Sequence, residues 1–122
     1  MRVLVTGVNG YIGSHTAKKL AEHGHEVYGF DIAPSINNVK KYLRDYYEAD
    51  ARKTIAYDYD VYVHLAGMIS VEESVRDPWK YFDHNVNGTA NMVMNNQAGH
   101  YIFASTATAF NPANPYACVN DR

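Results

Sequence analysis

Three glycines at regular spacing, Gly7, Gly10 and Gly13 in GVNGYIG, follow directly on the apolar run VLVT. A turn built on glycine lets the backbone approach an anion closely, because no β-carbon stands in the way. The helix expected behind it presents free N–H groups and a partial positive charge, which suits the pyrophosphate of a dinucleotide. Asn9, Tyr11 and Ile12 belong to the same turn and are candidate contacts with the three glycines. Asp31 stands 18 residues beyond Gly13, at the end of a second apolar run, EVYGFDI. There a carboxylate can accept hydrogen bonds from the adenosine ribose hydroxyls. Its charge would repel a 2′-phosphate, and Ile32-Ala33 supply no arginine to attract one, so the pattern favours NAD over NADP. The plainer alternative is a tight turn in which Asp31 caps the next helix.

Other reactive residue types are scattered. Six histidines (His15, His23, His25, His64, His84 and His100) show no metal-ligand spacing, so no metal site is expected. The single cysteine, Cys118, excludes an internal disulfide and a cysteine zinc cluster. The net charge of −2 supplies no electrostatic reason for a nucleic-acid or anionic-membrane partner. No apolar stretch approaches the roughly 20 residues of a membrane helix. The N-terminus MRVLVTG does not resemble a signal peptide, and the expected compartment is cytoplasmic.

The elements that must position the glycine turn alternate along the chain. Strands are expected at Arg2 to Thr6, Glu26 to Ile32, Tyr46 to Ala51, Asp60 to Ala66 and His100 to Ser105. Helical spacing links Ile12, Thr16, Ala17 and Leu20, with Gly24 as the stop. A short helix begins near Pro34 and Ser35, with Ile36, Val39 and Leu43 on one face. Asp77 and Pro78 open a longer helix that runs to Gly99, with Trp79, Phe82, Val86, Ala90 and Val93 as its apolar stripe. His64 and that stripe are read as core. The eight residues Arg52 to Tyr59 must cross the middle of the sheet, and fully extended they reach only about 26 Å, so a turn or a stub of helix is expected there. This alternation implies an α/β domain: a minimal doubly wound Rossmann fold with a five-stranded parallel sheet in the order 3-2-1-4-5. At 122 residues the chain is expected to be one dinucleotide-binding domain, with 106–122 as an irregular tail and no substrate domain.

VTGVNGYIGSH, HLAGMISVEESVRDPWKYFDHNVNGT and FASTATAF, in that order, resemble successive blocks of UDP-glucose 4-epimerases and related sugar-nucleotide dehydratases of the extended short-chain dehydrogenase/reductase class. The resemblance implies NAD as cofactor and a UDP-sugar as partner. It implies that Asp50 and Ala51 line the adenine pocket, and that Leu65, Ala66 and Gly67 form the turn beside the cofactor's ribose and pyrophosphate. Asn85 matches an asparagine that supports the nicotinamide end. Thr106 matches the residue that hydrogen-bonds the sugar hydroxyl undergoing oxidation, and Tyr116 falls at the place of the catalytic tyrosine.

The match departs from the family at one point of chemistry. The family's tyrosine is followed four positions later by a lysine, which lowers the phenol pKa; here that position is Asn120. An unassisted phenol of pKa about 10 is roughly 0.1% ionised at pH 7. Only nine residues separate Thr106 from Tyr116, fewer than in the family, and Met68-Ile69 stand where the family places a lysine. Three readings therefore stay open: an NAD-dependent enzyme with epimerase-type oxidoreductase chemistry, a module that binds NAD without turnover, and a scaffold that keeps only the fold. The expected fifth strand carries Tyr101, Ile102 and Phe103 at a sheet edge, and this predicts a homo-oligomer.

Overall fold

In the computed structural model, described for residues 1–34, 37–53, 58–67, 71–95 and 97–104, five strands form one sheet. They are β1 (Arg2–Thr6), β2 (Glu26–Asp31), β3 (Asp45–Glu48), β4 (Asp58–His64) and β5 (Gln97–Phe103). Every pairing is parallel, and the order is β3-β2-β1-β4-β5, as the alternation of elements predicts. The order reverses beside β1, and such a reversal opens a crevice at the carboxyl ends of the strands. In register there, Tyr47, Phe30, Thr6, His64 and Phe103 form one row across all five strands.

The helices are α1 (Tyr11–Glu22), α2 (Asn37–Lys40), α3 (Val71–Arg76), α4 (Pro78–Phe82) and α5 (Gly88–Asn95), with a π-helical turn at Asp83–Asn87 joining the last two. Strand alternation sorts the core into two layers. Val3, Val5, Val27, Val61 and Val63 face one way and bury Val8, Ala17 of α1 and Val39 of α2. Leu4, Phe30 and Tyr62 face the other way and meet Met92 of α5. Burial of each such apolar side chain contributes roughly 1.5–3 kcal/mol, so both sides of the sheet hold the strand ends in place.

Several boundaries move from those expected. β2 and β3 stop at Asp31 and Glu48, β4 starts two residues early at Asp58, and β5 spans 97–103 rather than 100–105. The extra residues are set by pairing partners, which a single segment does not contain. The short crossing after β3 does hold a helical stub, a 3₁₀ turn at Ala51–Lys53. Helix α3 was not expected; its six residues are too few to show a period, and it ends before Asp77-Pro78, where a proline disfavours helix in the residue before it. Asp77 caps α4 as expected, accepting a hydrogen bond from the Lys80 N–H at 3.2 Å.

The apolar stripe on the long helix needs correction. Trp79 is 66% exposed and Val93 and Ala90 are also exposed, whereas Tyr81, Asn85, Gly88 and Met92 are buried. The buried residues follow a 4-3-4 rhythm, one face round from the expected stripe. Trp79 stacks on Phe82 with ring centroids 5.5 Å apart, outside the core. In α1 the buried positions are Gly13 and Ala17, and Ile12 points to solvent. His64 is buried, as expected of a core residue.

The expected tail, 106–122, lies outside the described residues. Among the described residues β5 pairs only with β4, and Tyr101, Ile102 and Phe103 are exposed. No described helix is long and apolar enough to cross a membrane.

Candidate functional site

β1 ends in a turn whose first residue, Gly7, has φ +67°, a conformation that side chains other than glycine rarely adopt. A β-carbon on Gly7 would also lie 2.8 Å from the Ala66 nitrogen and the Leu65 carbonyl carbon, so the turn after β4 packs on the turn after β1. A β-carbon on Gly13 would lie 2.2 Å from the Gly7 carbonyl oxygen, so the start of α1 rests directly on the same turn. Gly10 differs. Its added β-carbon would meet only the Gly7 oxygen, at 3.3 Å, and otherwise open space.

Gly10 is the N-cap of α1 and donates its N–H to the Gly7 carbonyl at 3.1 Å. No side chain caps the helix, and its first turn carries no acidic residue. Helix geometry therefore leaves the Tyr11, Ile12 and Gly13 N–H groups without intrahelical acceptors, beside the exposed Tyr11 and Ile12 side chains. A helix start of this kind can receive an anion, as the glycine spacing predicts.

Asp31 closes the site on the β2 side. Its carboxylate accepts the Asn9 N–H at 3.0 Å, the Ile32 N–H at 2.8 Å and the Ala33 N–H at 3.4 Å. A carboxylate offers about four acceptor positions, so one remains for a ligand hydroxyl. Asn9 braces the same loop by donating its side-chain amide to the Pro34 carbonyl at 3.0 Å and to the Tyr46 hydroxyl at 3.1 Å. Burial raises the Tyr46 phenol above its ordinary pKa and keeps it neutral.

Asp50 and Ala51 follow β3, tied to Asp31 by the Ala49 N–H donating to the Asp31 carbonyl at 2.8 Å. The Asp50 carboxylate is engaged by Arg52, whose Nε lies 3.0 and 3.1 Å from its two oxygens. That hydrogen-bonded pairing holds the Asp50 carboxyl below the usual carboxylate range and raises the guanidinium. Arg52 also bonds Asp83 in the π-helical turn, which accepts from Asn87 at 3.0 Å; the Asn87 bond and then Arg52 lower the Asp83 pKa. The Ala51 carbonyl accepts the Asn91 amide at 2.6 Å. What Asp50 and Ala51 offer a ligand is thus mainly backbone and the small Ala51 side chain.

On the β4 side, Asn85 is buried, and a β-carbon on Gly67 would lie 2.9 Å from its Oδ1. π turns are rare in helices but frequent at functional sites, and this one carries Asn85, which lies against Gly67 of the β4 turn. Leu65 and Ala66 donate their N–H groups to Thr6 Oγ1 at 3.0 and 3.1 Å.

Gly7, Gly10, Gly13, Asn9, Tyr11, Ile12, Asp31, Leu65, Ala66, Gly67 and Asn85 therefore gather at one end of the sheet, with Asp50 and Ala51 at its rim. Thr106, Tyr116, Asn120, Met68 and Ile69 lie outside the described residues. Among the described residues no group of three His, Cys, Asp or Glu side chains could hold a metal. Sequence reasoning missed Thr6 and Arg52. A hydroxyl directly before the glycine turn was a usable signal for Thr6, but nothing local links Arg52 to Asp83. A cavity of about 240 Å³ between α1 and α2, lined by Lys18, Lys41 and Tyr42 among others, shares only Asn9 with this site.

Comparison with known proteins agrees with this geometry. The profile of the NAD dependent epimerase/dehydratase family matches residues 3–120. The chain is 38% identical to a UDP-glucose 4-epimerase of Klebsiella pneumoniae, over 95% of this chain and 98% of that one. It is 33% identical to the UDP-glucose 4-epimerase of Neisseria meningitidis serogroup B, over 89% of this chain but only 38% of the relative. The fold superposes on a UDP-glucose 4-epimerase from Stenotrophomonas maltophila, with bound NAD and formylated UDP-arabinopyranose, at a TM-score of 0.82 and 27% identity; this covers 98% of the chain and 45% of that protein.

Proposed function

The chain belongs to the NAD-dependent epimerase/dehydratase family, and on that premise we propose that residues 1–122 form one NAD-binding domain. The uncapped start of α1, packed on the Gly7 turn with Asp31 alongside, is the observation that carries the reading. The Tyr11, Ile12 and Gly13 N–H groups hold the pyrophosphate. Gly7 and Gly10 keep β-carbons out of its path. Asp31 accepts from the adenosine ribose with its remaining lone pair and turns away a 2′-phosphate. Asp50 and Ala51 border the adenine; Leu65, Ala66 and Gly67 border the nicotinamide-side ribose, and Asn85 supports that end of the cofactor. NAD, when bound, takes up and returns a hydride at a sugar carbon.

For the substrate we propose a UDP-sugar, since the relatives are UDP-glucose 4-epimerases and one holds a UDP-pentose derivative. Thr106 then binds the reacting sugar hydroxyl and Tyr116 takes its proton. A second reading, binding without turnover, is favoured by Asn120, which has no charge to stabilise a Tyr116 phenolate. One cysteine and NAD chemistry favour a cytoplasmic location, and the exposed β5 edge supports a homo-oligomer.

Calorimetric titration with NAD, with NADP as control, tests the cofactor site. Micromolar NAD binding, at least about tenfold weaker NADP binding, and loss of affinity in Gly10→Val and Asp31→Ala are expected. Absence of binding by folded protein overturns both readings. Interconversion of UDP-sugars by the NAD-loaded protein then decides between them.

A further inference from the structure

His64 is 7% exposed, and its Nδ1 lies 2.8 Å from Thr6 Oγ1. The proton positions follow from counting. Thr6 Oγ1 already accepts two N–H groups, one from Ala66 and one from Leu65, which also reaches the Thr6 carbonyl at 3.3 Å. A hydroxyl oxygen has two lone pairs and one proton. The Thr6 proton must therefore be donated outward, and His64 Nδ1 is the acceptor at hand. The imidazole then carries its own proton on Nε2, which has no partner among the described residues. An unmet buried donor is unfavourable by about 1–3 kcal/mol. An apolar ring at this position would avoid that penalty and still stack on Phe103, whose ring lies 6.0 Å away at 19°. The one thing such a ring lacks is the acceptor at Nδ1.

We propose that His64 is a positioning residue of the cofactor site, acting through Thr6: by accepting the Thr6 hydroxyl proton it aims both lone pairs of that oxygen at Leu65 and Ala66. The inference rests on the NAD-binding reading for its functional consequence, but the relay itself is a property of the fold. Its effect lands where it matters, because Leu65 and Ala66 form the surface against which Gly7 packs, and their placement sets one wall of the crevice. Without the histidine acceptor, the Thr6 proton competes with the two amides for space around the oxygen. Burial, which holds the imidazole pKa at about 4, keeps Nδ1 an acceptor at neutral pH.

The test compares two substitutions with opposite properties. His64→Phe keeps an aromatic ring and the stack on Phe103, in a somewhat larger side chain, but removes the acceptor; His64→Asn loses the ring but can place an amide oxygen where Nδ1 was. The relay predicts faster amide exchange at Leu65 and Ala66, and NAD affinity reduced about tenfold, in His64→Phe. It predicts near-native values for both in His64→Asn, even if that variant melts at a lower temperature. A residue that merely packs gives the reverse order, and that result overturns the proposal. ¹⁵N spectra of His64 in the unsubstituted protein should show a bare Nδ1 and a protonated Nε2; the opposite tautomer also overturns it. If the unsubstituted protein binds no NAD, the reading of the site as a cofactor site fails, while amide exchange and the tautomer still decide the relay.

Discussion

His64 also makes stability depend on pH. Its pKa is about 4 in the folded protein and about 6.5 when unfolded, so the unfolded chain binds the proton more readily. The folded state is therefore undisturbed above pH 6.5 and loses ground as the pH falls toward 4. A tenfold difference in proton affinity is worth about 1.4 kcal/mol, so the loss between pH 7 and pH 4.5 is about 2 kcal/mol. The Asp50 and Asp83 carboxylates, held below their ordinary value by Arg52 and Asn87, give up their stabilisation only at still lower pH. Urea unfolding at the two pH values measures the effect, and His64→Phe should flatten most of it. An equal slope in that variant would assign the dependence elsewhere. Residue identity was readable at this scale, but tautomer and pKa were not, since both depend on neighbours brought together from β1 and β5.

At the scale of elements, the glycines of the turn divide into two kinds that the spacing alone treats alike. Gly13 seats α1 against the Gly7 backbone, and the three nearest atoms that an added β-carbon would meet there are all backbone. Gly13→Ala should therefore force the helix off the turn and lower stability by about 3 kcal/mol or more. Gly10 faces open space apart from one oxygen at 3.3 Å. Gly10→Ala should unfold within about 1 kcal/mol of the parent, yet bind NAD more weakly, because its β-carbon intrudes on the pyrophosphate path. Chemical denaturation and NAD titration of the two variants separate these outcomes; equal stability in both would contradict the packing described. The long helix teaches a related lesson. Its existence and its Asp77-Pro78 start were legible from local chemistry, but which face it buries was not. Tyr81, Asn85 and Met92 are buried and Trp79 is exposed, and Met92 packs into the layer of Tyr62 and Phe30.

Among the described residues, the sheet has one edge at β3 and another at β5, and the β5 edge presents Tyr101, Ile102 and Phe103 to solvent. An apolar edge of this kind favours self-association. Sedimentation at high micromolar concentration should show a dimer or larger species, shifted toward monomer in Ile102→Lys. A monomer throughout would refute the assignment. The chain spans 38% of its Neisseria relative and 45% of the Stenotrophomonas protein, so the comparison bears on the cofactor half of those enzymes.

The strand–helix alternation, and with it the sheet order, the glycine turn, Asp31 and the family blocks could be read from the residues alone. Each is a local pattern: a period, a breaker, or a residue type whose conformational freedom is its own. The buried face of the long helix, the Arg52 bridge between Asp50 and Asp83, and the bond between Thr6 and His64 come from the folded chain. These join residues 31 and 58 positions apart. Their energies exist only once the sheet has brought the partners within hydrogen-bond distance, so no local pattern in the chain announces them.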